Sequence, residues 1–195
     1  MVRLENVEMK KFLIAALVVF LLPCACFAGP FGLEAGMSRD EVIKKIGKDA
    51  KPGKGDHSII SATVPIQNSN FIIYEFHFDS KNRLDSIEAL SKSVPTQSNG
   101  EDLLYFFQTL RYTLEDKYGK SPMVWNDDGH MKWEEIVAST GKIYAAANWF
   151  GHGENGTEMR SLHIGNIHLE AFALNETSGY VELTYIFDIS TARGL

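Results

Sequence analysis

The sequence predicts an α+β domain: an antiparallel sheet of about six or seven strands with two helices packed on one face. Three observations predict it. Two segments carry helix signals, each opened by polar capping residues and stopped by glycine. The apolar residues around them alternate with a period of two, the mark of half-buried strands. The connections between those runs are short, which suits antiparallel neighbours rather than the crossovers that parallel pairs need.

The chain opens on an export signal. Lys10 and Lys11 supply a positive start, residues 12–22 (FLIAALVVFLL) form an uncharged apolar run, and Pro23 breaks it. Cys26 and Ala28 then place small residues at the −3 and −1 positions of a cleavage site. Residues 1–28 are therefore expected to be a signal peptide, with synthesis starting at Met1 or at Met9. The apolar run falls short of the about 20 residues that cross a bilayer, so no transmembrane helix is expected in the mature chain. An alternative route remains: Leu22-Pro23-Cys24-Ala25-Cys26 loosely resembles the site where bacterial lipoproteins are cut, which would leave a lipid anchor at Cys26. The expected location is periplasmic or secreted, the alternative an anchored protein.

Both cysteines of the chain lie in this leader. Residues 29–195 are expected to form a single domain held by its core alone, without a disulfide. A chain of that length can bury about 70% of its unfolded surface. The formal net charge of −6 comes from 25 acids against 19 bases, with no Lys/Arg stripe. That balance gives no support to nucleic-acid binding.

The first helix follows Ser38. Its hydroxyl and Glu41 three residues on make a capping box, Met37 and Val42 a hydrophobic staple. Val42, Ile43 and Ile46 form the apolar face and Gly47 the stop. Residues 48–56 read as a loop. Strands are expected at 58–64, 71–79 and 84–90. In the second of these Ile72, Tyr74, Phe76 and Phe78 alternate with Ile73, Glu75 and His77. The second helix is expected to open on a capping box of Ser98 and Glu101. Leu103, Phe107, Leu110, Leu114 and Tyr118 share one face, Arg111 and Glu115 pair across a turn, and Gly119 and Pro122 end it. Beyond it, strands are expected at 131–137, 142–150, 161–174 and 180–188, with a loop at 151–157 (GHGENGT). In the last strand Val181, Leu183, Tyr185 and Phe187 face one way, and Tyr180, Glu182, Thr184 and Ile186 the other. Both helices end in Lys-x-Gly-Lys, a faint sign of a degenerate tandem repeat of a helix-plus-strands unit.

The run Gly36-Met37-Ser38-Arg39-Asp40-Glu41-Val42, followed by Ile46-Gly47, resembles the opening helix of the small outer-membrane assembly lipoproteins of the SmpA/OmlA family. The doubled helix-plus-antiparallel-sheet plan is similar to the β-lactamase-inhibitor-protein fold. The resemblance covers residues 36–47. It implies a non-catalytic envelope domain that works by binding other proteins.

No phosphate-cradling glycine loop, nucleophile elbow or His-Glu-x-x-His run is present, and no cofactor is expected. Metal-ligating residue types gather at His152, Glu154 and Glu158, with His163 or His168 from the next strand. His163 and His168, five apart, share a face only if the strand bulges near Gly165. Solvated loop side chains are the alternative reading. For binding, Trp125, Asp127, Asp128, His130 and Trp133 sit in one short segment (WNDDGHMKW), with Trp149 nearby on a strand. Tryptophans make hot spots, and equally make core. The leading expectation is an exported bacterial binding or accessory protein acting on another envelope or secreted protein. The alternatives are a metal-dependent hydrolase using His152, His163 and His168, and a small-molecule carrier.

Overall fold

The computed structural model describes residues 29–97, 99–126, 133–138, 143–151 and 157–192. Within these the protein is α+β, built on one antiparallel sheet. In chain order the elements are helix α1 (Arg39–Ile46), strands β1 (Lys51–Pro52), β2 (Ser58–Ser61), β3 (Phe71–Phe78), β4 (Leu84–Ser91) and β5 (Val94–Pro95), then helix α2 (Glu101–Tyr118). Strand β6 (Met123–Asn126), helix α3 (Trp133–Ala138), strand β7 (Ile143–Phe150), helix α4 (Thr157–Ser161) and strands β8 (Ile164–Asn175) and β9 (Ser178–Phe187) complete it. The sheet has 9 strands in the order β1-β2-β3-β4-β9-β8-β7-β6, with β5 also paired to β9. Each half is a helix followed by strands, and the halves meet where β4 pairs β9, from Ser86 opposite Ile186 to Leu90 opposite Glu182.

Helix α1 forms as its sequence expects. The Ser38 backbone amide donates to Glu41 Oε2 at 2.8 Å and Ser38 Oγ accepts from the Glu41 amide. Gly47 ends it at φ 83°, a left-handed conformation that glycine reaches without a Cβ clash. Val42 and Ile46 are buried. A two-turn helix is unstable alone. It is fastened to the loop after β2 by the Thr63 hydroxyl donating to Ile46 O at 2.8 Å, and to β3 by Arg39 over the Phe78 ring.

Helix α2 starts later than expected. Its cap is Gly100 and its first residue Glu101, so Glu101 cannot be the third residue of a box opened by Ser98, which lies outside the described residues. Tertiary packing sets that start. A Cβ on Gly100 would come within 2.6 Å of the Trp133 ring, and the Tyr144 hydroxyl donates to Asn99 O at 3.1 Å. The Asn99 side chain takes over the capping by accepting from the Glu101 amide. The expected stripe holds: Leu103, Phe107, Leu110, Leu114 and Tyr118 are buried, and Arg111 pairs Glu115.

Three further expectations give way. Residues 131–137 were expected as strand, but Trp133–Ala138 is helical. Trp133 and Ile136, three apart, both bury, a spacing that a helix satisfies and a strand does not. The sheet gains Met123–Asn126 as an edge strand on β7. The strand expected at 161–174 begins at Ile164, after a short helix, and slips register at Gly165.

The buried residues of all four helices join one apolar core with the sheet. Helix α2 contacts β5, β7, β8 and β9, and α3 and α4 both contact β8. The sheet side of this core carries Tyr74, Phe76, Ile87, Ala89, Leu169, Ala171, Leu183 and Tyr185, all buried. At about 1.5–3 kcal/mol for each large apolar side chain buried, this layer holds the fold. Over the opposite face lies none of the described helices.

Candidate functional site

The open face is where the side chains with chemistry converge. Alternation and register place them in rows across the strands. One row runs Ile60, Glu75, Glu88, Thr184, His168 and Asn148 through β2, β3, β4, β9, β8 and β7. The next holds Ile73, Leu90, Glu182, Glu170 and Ala146. Beyond it Tyr180 stacks on Phe172, ring centroids 5.1 Å apart and planes 16° from parallel. On the other side of the first row stand His77, Ser86, Ile186, Asn166 and Phe150.

This face is unevenly charged. Strands β2, β3, β4, β7, β8 and β9 contain no Lys or Arg, yet Glu75 faces Glu88 and Glu170 faces Glu182 directly across the ladder. Like charges in opposed positions destabilise a sheet. The consequence is visible at Glu182, whose carboxyl is raised to about 7 by burial first, then by the Glu88 and Glu170 carboxylates. Tyr180 is raised as well, by burial first and then by the Glu182, Glu88 and Glu170 carboxylates.

Glu75 is settled differently. It is only 5% exposed. Its Oε1 accepts from Ser58 Oγ at 2.7 Å and from the Lys54 amide at 3.2 Å. Gly53 makes this possible, because a Cβ there would meet Ser58 Oγ at 2.0 Å and Glu75 Oε1 at 2.7 Å. Burial works to raise the Glu75 carboxyl, but the hydrogen bonds and nearby His77 and Lys54 bring it below its ordinary value. His77 Nε2 stands 3.8 Å from Glu88 Oε2, and that carboxylate, ahead of the opposing effect of burial, holds the imidazole above its ordinary pKa. Glu75, His77 and Glu88 each present one ligand atom, all within 4.8 Å of one another.

The residues singled out from sequence lie elsewhere. Trp133 and Trp149 are core: their indole N–H groups donate to Glu176 O at 2.9 Å and Gly119 O at 2.8 Å, and neither ring reaches the surface. Trp125 sits in β6 opposite Ala146, its side chain outside the described set. Asp127, Asp128, His130, His152 and Glu154 lie outside the described residues. The bulge at Gly165 does form, but His163 is in a turn at φ 54°, its Nδ1 3.1 Å from Thr191 Oγ1, while His168 Nδ1 meets Asn148 Oδ1. Among the described residues neither joins a three-ligand group.

Two hollows add to the picture. One, of about 300 Å³, is lined by Arg160, His163, Gly165, Asp188 and Thr191. The other, of about 480 Å³, lies between α2 and the segment around Phe31, with Leu110, Leu114, Lys117, Phe71 and Tyr185 in its wall. Neither is lined by Trp149 or Tyr144, the residues that would have favoured a carrier.

Sequence reasoning saw Glu75, His77, Glu182 and Thr184 as the polar side of alternating strands but assigned them no role. The signal that could have found them is the absence of Lys and Arg from every central strand, set against glutamates at solvent-facing positions. Comparison with known proteins finds no family model, no curated protein and no solved structure that matches this chain.

Proposed function

We propose that this chain is an exported bacterial envelope protein that acts by binding another protein, and that the partner docks on the open face of the sheet. One observation carries the reading: six adjacent strands present a surface with no described helix over it. That surface mixes apolar contact area with glutamates on strands that carry no Lys or Arg. At about 4.8 Å between strands and about 3.3 Å per residue along an eight-residue strand such as β3, the face measures about 25 Å by 25 Å, or about 600 Å², the same order as the roughly 800 Å² that each partner gives to a stable interface.

Its composition describes the partner. Ile73, Phe150 and Ile186 are each more than a third exposed, and the stacked Tyr180 and Phe172 offer a rigid aromatic platform. The facing Glu170 and Glu182 would accept an Arg or Lys whose charge relieves their mutual repulsion. A basic, partly apolar protein surface is the match. The export signal in residues 1–28 and the likeness of residues 36–47 to the envelope assembly lipoproteins support the same compartment and the same mode of action.

Site-specific photocrosslinking tests the proposal. A photoreactive residue replacing Phe172 should capture one partner in the envelope of producing cells, and the charge reversal Glu182→Lys placed beside it should abolish the product. The same probe at Tyr105, which is 77% exposed on α2, should capture nothing. A product at Tyr105 alone, or one at Phe172 that is indifferent to Glu182→Lys, would reject the open face as the docking site.

A further inference from the structure

We propose that Glu75, His77 and Glu88 form a binding site for a divalent transition-metal ion, with zinc the best fit. The site lies one row along the same face from the Glu170–Glu182 pair, and metal binding is read out separately from docking.

The first argument is geometric. Glu75 and Glu88 are directly paired across β3 and β4, and His77 lies one step along the same face, opposite Ser86. The three ligand atoms lie within 4.8 Å of one another. The 3.8 Å between His77 Nε2 and Glu88 Oε2 is too long for a hydrogen bond. It is the right order for two donors sharing an ion, since ligands at about 2.1 Å from one centre stand about 3–4 Å apart at ordinary coordination angles.

The second argument is independent of that spacing. Glu75 is a nine-tenths buried carboxylate with a second carboxylate opposite it and no Lys or Arg on any neighbouring strand. Buried carboxylates are rare unless paired or bound to metal. Its bonds from Ser58 and Lys54 fall on Oε1 and orient the group, as outer-shell donors orient metal-ligating carboxylates. A cation between Glu75 and Glu88 would turn a like-charge pairing across the ladder into an attractive one.

The donor set selects the ion. One imidazole nitrogen with two carboxylate oxygens suits zinc or manganese, whereas calcium and magnesium prefer oxygen alone. Three protein ligands on a solvent-facing surface leave a coordination position open to water or to a donor from a docked molecule.

The test uses the full chain, stripped with a chelator and titrated calorimetrically with Zn²⁺ and, separately, Ca²⁺. The expected result is one Zn²⁺ per chain, bound at least about tenfold more tightly than Ca²⁺. His77→Ala and Glu88→Gln should each weaken Zn²⁺ by about tenfold or more. Zn²⁺ should also raise the thermal midpoint of the parent protein and leave that of either variant unmoved. His77 is 39% exposed at its side chain, so its replacement leaves the core intact, and His77→Gln serves as a second variant. No saturable binding, or full affinity in His77→Ala and Glu88→Gln, would overturn the site. So would affinity that disappears only when His130 and His152 are replaced. Repeating the Phe172 crosslink in chelator reports on the docking surface without the ion.

Discussion

The two faces of the one sheet invite comparison, because they are made by the same strands. In β9 the residues Val181, Leu183, Tyr185 and Phe187 are buried beneath the helices, while their neighbours Tyr180, Glu182, Thr184 and Ile186 point the other way and stay partly exposed. One side is closed by packing: Trp149 against α2, Phe31 edge-on to Phe71, Tyr74 and Tyr185, Tyr118 edge-on to Tyr185. The other gathers four glutamates and two histidines without a strand lysine or arginine. The difference teaches that stability and recognition are divided here by a one-residue step along the chain. The covered side supplies free energy of folding, and the open side carries an arrangement that costs some of it. Selection for stability alone would have no reason to set Glu170 opposite Glu182.

The sharpest way to break this division is to attack each face and compare the damage. Trp149→Ala should cost about 3–5 kcal/mol in denaturant unfolding, since it removes a large core side chain and strands the Gly119 carbonyl that its indole satisfies. A loss below about 1 kcal/mol would mean the covered side is not the store of stability.

A smaller effect should come from the charged face, and it should depend on pH. The Glu182 carboxyl sits at about 7 in the folded chain against an ordinary 4.5. The folded state therefore holds its proton more tightly than the unfolded state does. Stability from this group is complete below pH 4.5 and is lost as pH climbs through about 7. Burial sets it first, then Glu88 and Glu170, opposed by the Thr184 hydroxyl and Lys54. In chelator-treated protein the thermal midpoint should fall between pH 5 and pH 8 by more in the parent than in Glu182→Gln, whose amide does not titrate. Parallel curves would show that the carboxylate row is not strained.

The smallest effect sharpens the comparison most. Ile186→Thr, at a residue 37% exposed on the open face, should change unfolding free energy by no more than about 0.5 kcal/mol. The same change should weaken the Phe172 crosslink. A large loss of stability would mean that this face is packed against something and is not free to dock.

Much of the scaffold was legible along the chain. The capping box at Ser38 and Glu41 uses only residues three apart, so local chemistry decides it. The stripe from Leu103 to Tyr118 has a helical period whatever it packs against. The strands around Tyr74 and Leu183 alternate plainly. The misreadings fall where two levels disagree. Ser98 and Glu101 have the spacing of a cap, but the Trp133 ring against Gly100 moves the helix start. The segment Trp133–Ala138 is apolar enough for either state, and its burial beneath the sheet's end makes it a helix. Trp133 and Trp149, two of the residues offered for binding, are core side chains, because sequence shows that an aromatic is present and not which way it points.

What the sequence by itself determined is the inventory and its parity: which residues share a helix face, which sides of each strand are greasy or charged, and that cations are kept out of the central strands. What only the tertiary structure decided is the assembly of that inventory. The pairing of β4 with β9 joins segments about a hundred residues apart in the chain, and it alone brings the Glu75–Glu88 hairpin beside the Glu170–Glu182 hairpin. A local pattern cannot encode that choice, because the free energy that selects it comes from burying both hairpins' apolar sides under one layer of helices. The charged row on the far side is placed by that burial and not by any attraction of its own.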